Sequence, residues 1–325
     1  MHFALPSDPI SFLQVTSTKS VMRKEKKYIL VPVDFQQPSR QAAAYAVRLA
    51  SRLKAEVYLL NIIATPGLLA KYFESGDLLV KVTDQAKEKL QELVSELSGV
   101  DKEIKVHSKV ERGKPYEKIL QMVRVMDVRM IILGENHQGD EAEKDLGSTV
   151  YHVTLKSQVP VLTLKGDARE FGQTIVVPLD LAQEHRKQIY SALVYGLNYG
   201  AKIHLVSSLI PGVNVKQSLI YKKMRRAKSS LEQNGVETEI QILEKDHLPS
   251  YQRVLDYAEQ IDAGMILLMT HKEGYNYDNY IGAFAHHLIN RSSIPVLSLT
   301  ASATDFNFRE LLKSVVDPVG MFFKY

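Results

Sequence analysis

The strongest constraint on this chain is that it runs through nearly the same sequence twice. YILVPVDFQQPSRQ, from Tyr28, is matched by TIVVPLDLAQEHRK, from Thr174. Pro32 pairs with Pro178 and Asp34 with Asp180, an offset of 146 that also pairs Ala55 with Ala201 just before VYLLNI and IHLVSS. Farther on, MDVRMIILG from Met126 pairs with IDAGMILLM from Ile261 at an offset of 135. That second offset continues through Gly147 with Gly282 and Pro160 with Pro295. One folding unit is therefore written twice. The second copy is shorter by 146 − 135 = 11 residues, lost between its second and fourth strands. The segment around Pro66 to Ser75 is the expected place for that loss. A chain of 325 residues gives each copy the length of an ordinary domain, about 100–200 residues.

Each copy alternates short apolar runs with helical patterns. In the first, Tyr28–Val33, Val57–Ile63, Lys105–Val110, Met130–Leu133 and Val159–Leu164 read as strands, short and rich in β-branched residues. Pro38–Leu53, Asp84–Leu97, Tyr116–Val125 and the segment around Val150–Leu155 read as helices, with Ala46, Leu49, Ala50 and Leu53 on one face of the first. Alternation of this kind predicts an α/β fold whose parallel sheet is covered on both faces. The expected organisation is an N-terminal arm over 1–26, a first domain over 27–166, a second over 172–300 and a tail over 301–325. In the tail, Phe308, Leu311, Leu312, Val315 and Val316 make one apolar stripe of a short helix, stopped by Pro318 and Gly320. It can dock on its own chain or on a second copy in a homodimer.

Composition removes several classes. With no cysteine there are no disulfides, thiolate metal sites or cysteine nucleophiles. No apolar run reaches the ~18 residues of a membrane span, and the first twenty residues do not read as a secretory signal, so a cytoplasmic address without membrane contact is expected. The net charge of +4 is modest, and the two basic runs, Arg23–Lys27 and Lys222–Arg226, read as solvated faces, not as a nucleic-acid footprint.

The chemistry is expected beyond the carboxyl ends of the strands. Asp34 follows the first strand, Gly134 ends the fourth, and Gly147, Ser148 and Thr149 open a helix whose free N–H groups favour an anion. No nucleophile elbow of the Gly-x-Ser-x-Gly type and no Gly-x-x-x-x-Gly-Lys-Ser/Thr loop is present. His286 and His287 are adjacent on a helix and cannot chelate one metal together, and His271, Tyr275, Tyr277 and Tyr280 read as packing residues.

Taken in order, VPVDF, the glycine ending strand four, the Gly-Ser at the fourth helix and the closing VPVLTL resemble the universal stress protein family, here as a tandem member. The resemblance covers about residues 27–165 and 172–300. It implies two repeated five-stranded parallel-sheet domains of Rossmann-like type, joined through their fifth strands as an internal pseudo-dimer. In one branch it also implies ATP binding through Gly, two residues, Gly, nine residues, Gly and then Ser or Thr. Carried over residue by residue, the nucleotide site would comprise Val33, Asp34, Gly134, His137, Gly147, Ser148 and Thr149, with His137 in place of the middle glycine. In the second copy Met269 and Lys272 replace the first two glycines and Ala283 the hydroxyl residue, so the pattern is lost there.

The loop from Gly134 to Thr149 holds five acids (Glu135, Asp140, Glu141, Glu143, Asp145) against Lys144, a net 1 − 5 = −4. Two like charges about 6 Å apart repel by roughly 3 kcal/mol at an effective dielectric of about 20, less in an exposed loop. Either the acids repel phosphate or they share a Mg2+ ion with it. Two main readings follow: a non-catalytic adenine-nucleotide (ATP) sensing module of the stress response, sited in the first domain, or a structural pseudo-dimer that binds a protein partner and no nucleotide. A third, hydrolysis or transfer of the nucleotide's phosphate, would rest on Asp34 and the acidic loop alone.

Overall fold

The computed structural model describes residues 28–64, 76–135, 146–166, 172–179, 186–208, 219–244, 247–270 and 281–300. The first half runs β1 (Tyr28–Pro32), α1 (Gln37–Leu53), β2 (Glu56–Ile63), α2 (Gly76–Leu97), β3 (Val106–Arg112), α3 (Pro115–Val125), β4 (Val128–Glu135), α4 (Ser148–Lys156) and β5 (Val161–Lys165). The second runs β6 (Thr174–Pro178), α5 (Arg186–Tyr199), β7 (Lys202–Ser208), α6 (Leu219–Gln233), β8 (Thr238–Leu243), α7 (Ser250–Gln260), β9 (Met265–Thr270), α8 (Ala283–Arg291) and β10 (Val296–Thr300). The arm, the Pro66–Ser75 segment, His137 with the acids from Asp140 to Asp145, Asp180, the residues 271–280 and the tail lie outside the described residues.

The strands form a single sheet in the order β3-β2-β1-β4-β5-β10-β9-β6-β7-β8. Pairing is parallel within each half and antiparallel only where β5 meets β10. Each half is thus a five-stranded parallel sheet, as the alternation of strands and helices predicts. The inner strands are apolar on both sides because helices cover both faces. Along β1, Ile29 and Val31 join the core under α1, α2, α5 and α6, while Leu30 joins the core under α3, α4, α7 and α8.

The seam between the halves is symmetric. Leu162 of β5 stands opposite Leu297 of β10, and 297 − 162 = 135, the repeat's own offset. Thr163 opposite Val296 and Val161 opposite Ser298 are exchanged by the same operation. A local twofold axis therefore passes through the Leu162–Leu297 pair, in the manner of an isologous dimer interface. The physical reason is the edge. Each half alone would end on an apolar strand with an unpaired row of N–H and C=O groups, and each closes the other's edge. Both leucines are fully buried.

Packing beside the seam repeats as well. Tyr116 lies against His152 at 4.5 Å between ring centroids, with Lys156 5.6 Å over the Tyr116 ring. Tyr251 lies against His287 at 4.6 Å, with Arg291 5.4 Å over the Tyr251 ring. Across the axis, Tyr151 of α4 meets its own repeat equivalent, His286 of α8, edge to face at 6.4 Å. His286 and His287 thus serve in packing and ring contacts.

The expected place of the second copy's shortening, Pro66 to Ser75, lies outside the described residues; within them α2 has 22 residues and α6 has 15. The described core anchors of α2 are Ala86, Leu90, Leu93 and Leu97.

The seam generates a prediction. Leu162→Ala should cost about 2–5 kcal/mol. Because β10 depends on β5 for its edge, amide hydrogen exchange should accelerate in β10 as much as in β5. Unchanged protection in β10 would show that the halves are energetically independent.

Candidate functional site

Between β1 and β4 the chain changes direction across the sheet, since β2 and β3 lie to one side of β1 and β4 and β5 to the other. Ligands of open parallel sheets settle at the carboxyl ends of strands at such a switch point. Three segments converge there: residues 33–36 after β1, the end of β4, and the start of α4.

After β1 the main chain is occupied. Val33 is buried; its N–H donates to Leu60 O at 2.9 Å and its carbonyl accepts from the Asn61 side chain at 2.8 Å. The second half repeats this with Leu179, whose N–H donates to Val206 O and whose carbonyl accepts from Ser207 Oγ at 3.3 Å. Asp34 is exposed, but Oδ1 accepts from the Gln36 N–H at 3.0 Å and from the Ser39 hydroxyl at 2.5 Å. Ser39 Oγ accepts the Asp34 N–H at 3.2 Å in return. This side-chain turn launches α1, with Pro38 in its first turn. Phe35 takes a φ of 67° inside it, a left-handed conformation uncommon for an aromatic residue. Asp34 therefore has a structural duty that its position in the sequence did not disclose.

The two glycines of the predicted site differ in kind. A Cβ on Gly134 would lie 2.0 Å from Pro38 O, so β4 and the start of α1 touch backbone to backbone. The close approach that glycine permits here is to the protein's own chain. Gly147 precedes α4 with φ −52° and ψ 137°, a conformation open to any residue, and a Cβ there would meet nothing within 4 Å. Among the described residues it faces open space at the positive end of a helix. Ser148 is exposed and Thr149 half-buried, and helix geometry leaves the N–H groups of Ser148, Thr149 and Val150 without an intrahelical acceptor.

The donor next to them has one. The Gly147 N–H donates to Glu135 Oε1 at 3.3 Å. Glu135 sits at the end of β4, opposite Lys165 at the end of β5, and Oε2 is 3.7 Å from the Lys165 ammonium. The lysine side chain is 5% exposed and the glutamate 12%, so the pair is largely withdrawn from water. Burial pulls the Lys165 pKa below its ordinary value, and the Glu135 charge opposes that pull. The same ammonium donates to the carbonyl of Asn290, near the carboxyl end of α8 in the other half. A negative charge thus already stands at the helix start where phosphate was expected, and a buried cation stands behind it.

The second half has no such pair. Thr270 stands opposite Thr300 at the positions equivalent to Glu135 and Lys165. Thr270 Oγ1 donates to Leu299 O at 3.2 Å, and Thr300 Oγ1 donates across the seam to Ser157 O at 2.7 Å. The fold accepts neutral hydroxyls in this corner, so the ion pair is particular to the first half. Sequence reading counted Glu135 among the loop's acids and missed Lys165 and Asn61. The available signal for Lys165 was a charge closing the apolar run VLTLK where the repeat has Thr300.

The sequence profile described as the universal stress protein family matches residues 26–165. A universal stress protein of Methanocaldococcus jannaschii is 32% identical over 163 residues, which is 97% of that protein and 45% of this chain. The chain belongs to the universal stress protein family. A second family member from the same organism is 25% identical over 146 residues, 85% of its length and 44% of this chain. Each relative thus corresponds to less than half of the molecule. The crystal structure of a universal stress protein from Archaeoglobus fulgidus covers 85% of this chain and 98% of its own, with a TM-score of 0.71 at 18% identity. At that identity the likeness speaks for the fold, and it spans both halves.

Two substitutions separate the family glycines by role. Gly134→Ala should lower stability by about 1–3 kcal/mol through backbone overpacking. Gly147→Ala should change it by no more than about 1 kcal/mol, because its conformation and surroundings accept a methyl group. Chemical denaturation of both variants checks this, and equal losses would contradict it.

Proposed function

We propose that this protein is a non-catalytic, cytoplasmic adenine-nucleotide sensor of the stress response, with one site, in the first of its two units (27–166 and 172–300). The observation that carries the reading is Gly147: a glycine with no conformational reason to be one, facing open space at the N-terminus of α4 beside three N–H groups without an intrahelical acceptor. Ser148 and Thr149 add hydroxyls at the same place, and the family's spacing of Gly134 and Gly147 supports ATP as the ligand. In this reading the phosphates lie at the start of α4 and the base and ribose lie over residues 33–35, with the outward part of Asp34 within reach of a hydroxyl. Mg2+ would come with the triphosphate and would meet the acidic loop, whose one described member is Glu135. No helix among the described residues is long and apolar enough to cross a membrane.

A second reading has its own observation. Glu135 on the Gly147 N–H, backed by Lys165, fills the anion position from within. If that carboxylate never leaves, the molecule is a structural pseudo-dimer that binds a protein partner.

Calorimetry with ATP, with and without magnesium, on the full chain decides between them. Gly147→Val should abolish binding and Gly282→Val should leave it unchanged. Absence of binding in the wild type, or equal losses in both variants, would favour the partner-binding reading. Glu135→Gln should tighten ATP binding by about tenfold, since it removes a competing anion while keeping Lys165 available to phosphate. Weakened binding in that variant would show that Glu135 serves the ligand, through magnesium or directly.

A further inference from the structure

The basic run at Lys222–Arg226 is not fully accounted for as a solvated face. It lies on α6, whose inner side presents Met224, Ala227 and Leu231 to the core. On the outer side Lys222, Arg225, Arg226 and Ser229 follow the i, i+3, i+4, i+7 spacing of a single helix stripe. All four are exposed and share one open face of the helix.

Three features set this stripe apart from an ordinary charged surface. First, its cations lack acidic partners among the described residues, whereas neighbouring lysines have them. Lys202 sits 2.9 Å from Glu237 and 2.5 Å from Glu239, and Lys228 sits 3.4 Å from Glu232. Second, the fold does not require cations there. Aligning the inner anchors Met224, Ala227 and Leu231 with Leu90, Leu93 and Leu97 of α2 gives an offset of 224 − 90 = 134. At that offset the outer residues face Glu88, Gln91, Glu92 and Ser95. The same scaffold position is acidic in one half and basic in the other. Third, three like charges within about one turn repel each other, so the arrangement is self-opposed until an anion joins it.

We propose that the outer stripe of α6 is a binding site for a small phosphate-bearing anion, separate from the α4 site. Arg225 and Arg226 supply planar guanidinium forks that match phosphate oxygens in pairs, and Lys222 adds a compact charge. Ser229 accepts a long hydrogen bond from Gln233 at 3.5 Å, which leaves its hydroxyl proton free to donate. The footprint is short. Beyond Ser229 come Glu232, Glu237 and Glu239, so positive potential does not continue towards β8. A duplex or a lipid surface would need cations over a wider area. Three cations grouped on one short, open stripe suit a small polyphosphate or phosphomonoester.

The test is titration of the full chain with inorganic tripolyphosphate at low salt, followed by calorimetry. It is run in the Gly147→Val background, so that loss of the α4 site cannot be mistaken for loss of this one. Binding is expected there, weakening as salt rises. The variant carrying Lys222→Gln, Arg225→Gln and Arg226→Gln should lose about tenfold or more in affinity, with Ser229→Ala losing less. Circular dichroism checks that these surface changes leave the fold intact, and Glu88→Gln with Glu92→Gln is the control expected to change nothing. Undiminished binding in the triple variant overturns the proposal. So does a result in which duplex DNA or vesicles of anionic phospholipid bind through these three residues while tripolyphosphate does not.

Discussion

The antiparallel pairing of β5 with β10 is the contact on which the rest of the molecule is arranged. Leu162 and Leu297 face each other at the local axis, and the ring contacts beside it repeat at the same offset of 135. A five-stranded parallel sheet with one apolar edge strand is incomplete in water, because the edge carries unpaired main-chain groups and unburied side chains together. Joining two such edges removes both defects in one step. The cores of both halves also become continuous, since each apolar cluster contains residues from β5, β10 and the strands beyond them.

Symmetry at the axis permits asymmetry away from it. At the ends of β4 and β5 the first half holds a partly buried glutamate and a buried lysine, where the second holds two threonines that satisfy themselves on carbonyl groups. A largely buried ion pair is seldom a net source of stability against neutral alternatives, because desolvation offsets most of the attraction. The threonines of the second half show that a neutral alternative exists in this very fold. The ion pair is therefore better understood through the site it borders than through stability. Its carboxylate accepts the N–H of Gly147, just before α4, and its ammonium reaches a carbonyl of α8, so this corner is tied to the opposite half.

The two outer helices show the same division. α2 and α6 use equivalent apolar anchors on the same face of the sheet, yet carry opposite charge on their outer stripes. Packing fixes the inner residues of both copies, because any change there opens a cavity. It leaves the outer residues unconstrained, and that is where the copies have taken on different chemistry.

Much of this was legible in the sequence because it is periodic or repeated. The strand and helix pattern and the two copies follow from the apolar periodicity and the offsets of 146 and 135, while the pairing of the fifth strands is what the family resemblance implied. Gly134 and Gly147 were equally visible as glycines. Only the tertiary structure separated them, since one is held against Pro38 O by the approach of α1 and the other faces open space. Asp34 read as a ligand-facing acid, and the fold gave Oδ1 to Ser39 and Gln36. Glu135 and Lys165 are 30 residues apart (165 − 135) and became a pair through parallel strand register. Local periodicity is written in neighbouring residues, so one chain is enough to read it. Which polar groups meet depends on how distant segments pack, and that was decided only when β1, β4, β5 and α4 came together.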